Sequence, residues 1–145
     1  MAFVPLLIWI ALIFFLSSSQ GSVSQTSFII RPILLFLFPD APEQTIQNYH
    51  AYIRKAAHFS EYAVLAFLAA RAFGAVLSDR VRNQKYLIAF LAVLAIAGID
   101  ELNQSLNILR TGSLQDVILD ISGGFTMLLI VWLNSRWNRK KAVRE

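Results

Sequence analysis

Four apolar segments divide the chain, over residues 2–16, 63–77, 86–99 and 114–133. An α-helix rises about 1.5 Å per residue, so crossing a hydrocarbon core of about 30 Å takes roughly 20 residues. The last segment reaches that length by itself. The other three reach it only with flanking polar residues included, which predicts membrane spans over about 2–19, 56–77, 85–101 and 114–133. The polar residues beside each segment are therefore drawn into the membrane boundary.

A shorter apolar stretch, residues 27–38, lies between the first two spans and is interrupted by Arg31 and Pro32. It is too short to cross a bilayer and too apolar for a free loop, so we expect an interfacial or re-entrant segment. After it, Asp40, Pro42 and Glu43 predict a helix start with Asp40 as the N-cap. The whole pattern predicts an all-α polytopic membrane protein with four transmembrane helices plus this short segment.

The composition agrees with a membrane protein. Of 145 residues, 57% are hydrophobic and 15% charged, which is too apolar for an ordinary soluble domain. With no linker-like or low-complexity stretch, we expect one domain over residues 1–145. The first apolar segment lacks the basic start and the small-residue cleavage site of a signal peptide, and we expect it to be retained. The absence of cysteine excludes disulfides and thiolate metal ligands.

The basic residues predict the orientation. Three lie in the loop before the third span and five lie in the last ten residues: Arg80, Arg82 and Lys85, then Arg136, Arg139, Lys140, Lys141 and Arg144. Since Lys and Arg favour cytoplasmic loops, we expect both regions, and with four spans also the N-terminus, on the cytoplasmic side. The net charge of +4 is then a membrane signal, and we expect no nucleic-acid partner. Residues 17–20, 54–62, 100–110 and the start of the last helix would share the outer face.

Ionisable residues stand at positions where an apolar protein rarely tolerates them, since a charge at the bilayer centre costs about 2.5–3.5 kcal/mol on insertion scales. Lys55, His58, Glu61 and Tyr62 fall within an arc of roughly 120° on a helix. His58 and Glu61 are neighbours at i,i+3. A carboxylate beside an imidazole fixes its tautomer, which suits a general base or an oriented ligand. Solvation by lipid head groups is the alternative, which we favour for Lys55.

A second cluster, Asp100, Glu101 and Gln104, ends the third span, and Asp100 directly follows the apolar Ile99. Two neighbouring acids need a cation from elsewhere, and Arg110, Lys55 or a metal ion are the alternatives. Simple solvation of the helix end remains open for Glu101.

The last span carries Asp116 and Asp120 on one stripe, with Asp120 about 6 Å deeper. We expect Asp120 to be paired inside the bundle, with Lys55, Arg110 or a metal as partner if it is charged. We favour a neutral, hydrogen-bonding Asp120. We also expect the three clusters to form one outward-opening pocket, in which His58 and Glu61 reach Asp100 or Asp116.

These residues resemble a known family. The matching positions are RKAAHFSEY at 54–62, DELNQ at 100–104, Ser18, Ser19 and Gln20 after the first span, and Arg110, Asp116, Gly123 and Gly124. In this pattern the chain resembles the VanZ-like family, small bacterial multi-pass membrane proteins named for a teicoplanin-resistance protein. The family usually has Asn where this chain has Asp120. The resemblance implies a place in the bacterial cytoplasmic membrane and a cell-envelope role, with lowered sensitivity to glycopeptide antibiotics as one form of it.

Three functions stay open. The protein is an enzyme acting on an envelope lipid at the outer face, a non-catalytic binder of a lipid head group or glycopeptide-type ligand, or a structural or assembly protein of the envelope. Candidate catalytic residues are His58, Glu61, Asp100, Glu101 and Asp116. Candidate ligand-binding residues are Gln20, Lys55, Tyr62, Gln104, Arg110 and Asp120.

The expected partners are membrane lipids, and the oligomeric state is left open. We expect no cofactor, because no H-E-x-x-H or comparable ligand spacing is present. One His among several carboxylates nonetheless keeps a divalent metal open as an alternative.

Overall fold

The computed structural model describes residues 1–18, 23–78, 81, 84–106 and 113–142, and this part of the chain folds into helices without strands. The helices are α1 (Val4–Leu16), α2 (Val23–Leu37), α3 (Glu43–Val76), α4 (Lys85–Ser105) and α5 (Leu114–Ala142). The predicted all-α class is therefore confirmed.

Three helices are long and apolar enough to cross a membrane: Glu43–Val76, Lys85–Ser105 and the Leu114–Asn138 part of α5. Helix α1 is apolar but has 13 residues, a length of about 20 Å, which falls short of the hydrocarbon core. The second, third and fourth predicted spans thus correspond to long apolar helices. The first span stays a prediction.

The structure corrects the start of α3. Asp40 is not the N-cap, because the helix begins at Glu43 with Pro42 as the N-cap residue and no side-chain cap. The residue before a proline is disfavoured in the helical region, so Ala41 cannot open a helix ahead of Pro42. Pro42 itself is extended, with φ −55° and ψ 146°, and its carbonyl accepts the first helical hydrogen bonds.

Helix α2 runs through Pro32 without interruption. Proline in a helix removes one hydrogen bond and crowds the preceding turn. The helix nevertheless continues on both sides of Pro32. Large apolar side chains of α2, among them Phe28, Ile29 and Phe36, are exposed, as suits an interfacial segment.

Helices α4 and α5 run beyond the predicted spans. The predicted third span ends at residue 101, and α4 continues to Ser105. Gln104 is therefore still helical, one turn after Asp100 and on the same face. Helix α5 continues to Ala142, well into the basic tail.

Ring and backbone contacts define the helix directions. The rings of Phe3 and Phe73 lie 5.6 Å apart, and Trp9 Nε1 donates to the Glu61 carbonyl at 2.9 Å. Helix α1 therefore runs antiparallel to α3. Helix α4 also runs antiparallel to α3, because Lys85 lies beside Gly74 while Asp100 meets Tyr62.

Small residues fill the interfaces between α3, α4 and α5. Helix α3 buries Ala66, Ala69, Ala70 and Ala72, and α4 adds Ala89 and Ala97. Helices in membranes gain most from such close backbone approach. One end of the bundle lies around Phe3 and Phe73, and the buried polar residues Ser17, His58 and Asp100 lie at the other, polar end.

Candidate functional site

Asp100 is the centre of a buried hydrogen-bond network. Its Oδ2 accepts hydrogen bonds from Ser17 Oγ at 2.8 Å, from Gln104 Nε2 at 2.9 Å and from Tyr62 OH at 3.2 Å. Gln104 Nε2 also donates to Ser17 Oγ at 3.4 Å. None of these residues is more than 6% exposed. The network ties the end of α1 to both α3 and α4.

His58, Asp100 and Asp120 form a compact group beside this network, which we call the His–Asp cluster. One potential metal-ligating atom of each residue lies within 4.8 Å of the other two. His58 Nδ1 and Asp120 Oδ1 are 3.5 Å apart, longer than the roughly 2.7–3.2 Å of an N–H···O hydrogen bond.

Three atoms of the His–Asp cluster are buried and lack a hydrogen-bond partner within the described part of the chain: His58 Nδ1, Asp100 Oδ1 and Asp120 Oδ1. A buried polar atom without a partner costs about 1–3 kcal/mol, more if it is charged. Native proteins contain few such atoms, and a bound ion or a catalytic role is a common reason for them.

Gly123 explains why Asp120 comes so close to α3. A Cβ at Gly123 would overlap the backbone carbonyl oxygen of Phe59, so only glycine permits the present helix separation. Asp120 lies three residues before Gly123 and therefore on the same face of α5. The close packing of α5 on α3 and the approach of Asp120 to His58 have the same cause.

A cavity of about 90 Å³ adjoins the cluster and is large enough for a few waters or one small polar group. It is lined by Leu16, Ser17, Thr26, Arg54, Ala57, His58 and Glu61. Arg54 also interacts electrostatically with Asp116 at the start of α5. The cavity therefore combines an imidazole, a carboxylate and a guanidinium, a set that suits an anionic group and acid–base chemistry.

The structure brings most of the predicted site residues together. One ring nitrogen of His58 lies within 4.8 Å of an Asp100 carboxylate oxygen, and Glu61 lines the same cavity as His58. Tyr62 and Gln104 belong to the Asp100 network.

The other predicted residues lie at the edge of the site or outside it. Glu101 contacts the backbone of Ser113, and Asp116 lies close enough to Arg54 for an electrostatic interaction. Lys55 is exposed and takes part in no hydrogen bond or ion pair that the described residues form. Gln20 and Arg110 lie outside the described residues.

Asp120 has a neighbour that the sequence did not suggest. The expected charged partners were Lys55, Arg110 or a metal, yet the nearest ionisable group in the described chain is His58. The neutral hydrogen-bonding role stays a prediction, and Asp120 Oδ1 makes no hydrogen bond with the described residues that would support it.

Sequence reasoning missed Ser17 and Arg54 as site residues. Ser17 opens the polar run that ends the first apolar segment, and this position was the available signal. Arg54 begins the motif at 54–62, but the motif does not say whether Arg54 or Lys55 points into the bundle.

Comparison with known families finds one match. The model of the family described as VanZ/LLP1 matches residues 2–135 of the chain. No curated protein and no solved structure matches it.

Proposed function

The chain belongs to the VanZ/LLP1 family, confirming the resemblance of its motifs, and from this premise we propose that it binds or acts on an envelope lipid at the outer face of the bacterial cytoplasmic membrane. The observation that carries the proposal is the cavity lined by Arg54, His58 and Glu61 next to the buried Asp100 network. Such a site at one end of an apolar bundle suits a lipid head group whose acyl chains remain in the bilayer.

The proposed topology has four spans with both termini in the cytoplasm. Helix α1 packs along α3 and α4 through Leu6 and Ile13, which supports its crossing the bilayer despite its short length. The end of α3 and the start of α4 lie at the same end of the bundle as Phe3, and the basic residues between these helices in the sequence favour the cytoplasm. The His–Asp cluster then faces outward.

Arg54 is the proposed anchor for the anionic part of the head group. A guanidinium binds phosphate or carboxylate oxygens through two parallel hydrogen bonds. Lys55 and Arg110 were the cations expected from the sequence, but Lys55 is exposed away from the cavity. His58 is the proposed general base or, where a metal is bound, its imidazole ligand, and Glu61 is the proposed orienting partner. A glycopeptide-type ligand is the alternative occupant, and its binding would lower glycopeptide sensitivity, as the family resemblance implies.

A structural or assembly role is the second candidate function. The Asp100 network favours it, because four almost fully buried polar side chains fix the register of α1, α3 and α4. Buried polar networks of this kind define a unique packing whether or not a ligand binds.

One set of variants distinguishes these functions. We would compare cells that express the wild type, Arg54→Gln, His58→Ala and Arg71→Gln. Arg71 lies on the same helix, is exposed near the end of the bundle around Phe3 and contacts the Phe67 ring, so its variant is the matched control. The measurements are protein accumulation in the membrane, total lipid composition, lipids that co-purify with the protein, and teicoplanin sensitivity.

If the protein is an enzyme, the wild type should change the lipid composition of the cells. Arg54→Gln and His58→Ala should abolish this change, and Arg71→Gln should retain it. If the protein is a non-catalytic binder, lipid should co-purify with the wild type but not with Arg54→Gln, and the total lipid composition should be unchanged. A structural protein predicts reduced accumulation of the site variants and no lipid effect. Site variants that accumulate normally and match the wild type in every lipid measurement and in teicoplanin sensitivity would contradict the proposed lipid site.

A further inference from the structure

The His–Asp cluster places two carboxylates beside one imidazole, and an imidazolium can offset only one of the two carboxylate charges. Asp100 is fully buried and Asp120 is 2% exposed. Asp100 Oδ1 meets no donor among the described residues, and Asp120 Oδ1 and His58 Nδ1 lie 3.5 Å apart without forming a hydrogen bond. Two ionised carboxylates this close together in a buried site are unfavourable unless a cation lies among them.

We propose that His58, Asp100 and Asp120 bind one divalent metal ion of the zinc or manganese type. The inference goes beyond lipid binding and does not depend on it, since metal binding is measured on the protein alone.

The distances fit a metal centre. Zinc binds imidazole nitrogen and carboxylate oxygen at about 2.0–2.2 Å, so ligand atoms around a tetrahedral ion lie roughly 3.3 Å apart. His58 Nδ1 and Asp120 Oδ1 are 3.5 Å apart, and the most distant pair in the cluster is within 4.8 Å. To close around an ion, the most distant pair would have to approach by up to about 1.5 Å.

The charges fit as well. Two carboxylates and a neutral imidazole carry a charge of −2, which one divalent ion cancels. A neutral centre avoids most of the cost of placing separate charges inside an apolar bundle. One nitrogen and two oxygen donors without thiolate suit zinc or manganese.

The surroundings of Asp100 resemble the support of a metal ligand. Ser17, Tyr62 and Gln104 all donate to Oδ2, which leaves Oδ1 available. Hydrogen bonds of this kind orient ligating carboxylates in metal sites. Three protein ligands also leave a coordination position open, and His58 lines the cavity proposed for the head group.

From the sequence we expected no cofactor, because His58, Asp100 and Asp120 do not follow the spacing of a known metal-binding motif. The three residues come from three different helices, and the fold rather than a local motif assembles them.

The test is metal binding by the full chain in detergent micelles. The protein is stripped with a chelator and titrated separately with Zn²⁺ and Mn²⁺, and bound metal is counted by equilibrium dialysis with elemental analysis. The variants are His58→Ala and Asp120→Asn. Their matched controls are His50→Ala, which changes the other histidine of the chain, and Asp40→Asn, which changes an exposed aspartate.

We expect one tightly bound ion per wild-type chain, with affinity at least a hundredfold lower in His58→Ala and Asp120→Asn and unchanged in both controls. X-ray absorption of the metal-loaded wild type needs no variant and should show nitrogen and oxygen ligands with one imidazole. Failure of the wild type to bind near one ion, equal binding by all variants, or a spectrum without imidazole would overturn the proposal. The metal titration and the lipid measurements test the two proposals independently.

Discussion

Replacing Gly123 by alanine should separate α5 from α3 and destabilise the bundle. A Cβ at this position would overlap the backbone carbonyl oxygen of Phe59, and a backbone atom of a packed helix cannot move without moving the helix. Forcing an extra methyl group into a packed interior costs about 1–3 kcal/mol. Because the neighbour is a rigid backbone, the cost at Gly123 should lie at the upper end of this range. Alanine recovers about 1 kcal/mol of helix propensity over glycine. The net loss should be about 2 kcal/mol in the free energy of unfolding.

Two other glycines provide matched controls for the same substitution. A Cβ at Gly98 would meet no atom within 4 Å, so Gly98→Ala should be neutral or stabilise by up to about 1 kcal/mol. A Cβ at Gly124 would meet the Val93 side chain at 2.7 Å. Because a side chain can shift, Gly124→Ala should fall between the other two.

The assay is reversible unfolding in detergent micelles, followed by helical circular dichroism, for the wild type and the three variants. The expected order of stability is Gly98→Ala, Gly124→Ala, Gly123→Ala, from most to least stable. Equal stability of Gly123→Ala and Gly98→Ala would refute the close contact of α5 with Phe59. It would also remove the reason for placing Asp120 beside His58.

Two further predictions concern the polar end of the bundle and its side of the membrane. Ser17→Ala removes one buried donor to Asp100 and should lower the free energy of unfolding by about 1–2 kcal/mol. The control Ser105→Ala removes only a local exposed hydrogen bond and should change the free energy of unfolding by less than about 0.5 kcal/mol. Equal effects of the two substitutions would contradict the Asp100 network. Reporter fusions after Leu16 and after Gln104 should report an extracytoplasmic location, and cytoplasmic reporter activity at either point would reject the four-span topology.

The sequence alone determined the helical class, the three long apolar helices and the ionisable residues within or beside apolar segments. These properties depend on composition and on spacing along one helix. Asp100 and Gln104, four residues apart, share a helix face wherever the helix lies, so their association was already present in the sequence. The start of α3 was missed by a few residues because the restriction that Pro42 places on Ala41 outweighed the capping pattern.

Only the tertiary structure decided which polar side chains meet. Neighbouring positions on a helix point about 100° apart, so the sequence did not establish that Arg54 lines the cavity while Lys55 is exposed. Ser17 donates to Asp100 across 83 residues, and Asp120 meets His58 only because Gly123 lets two helix backbones touch. Such pairings depend on the rotation and separation of whole helices, which result from packing over many residues rather than from any local pattern.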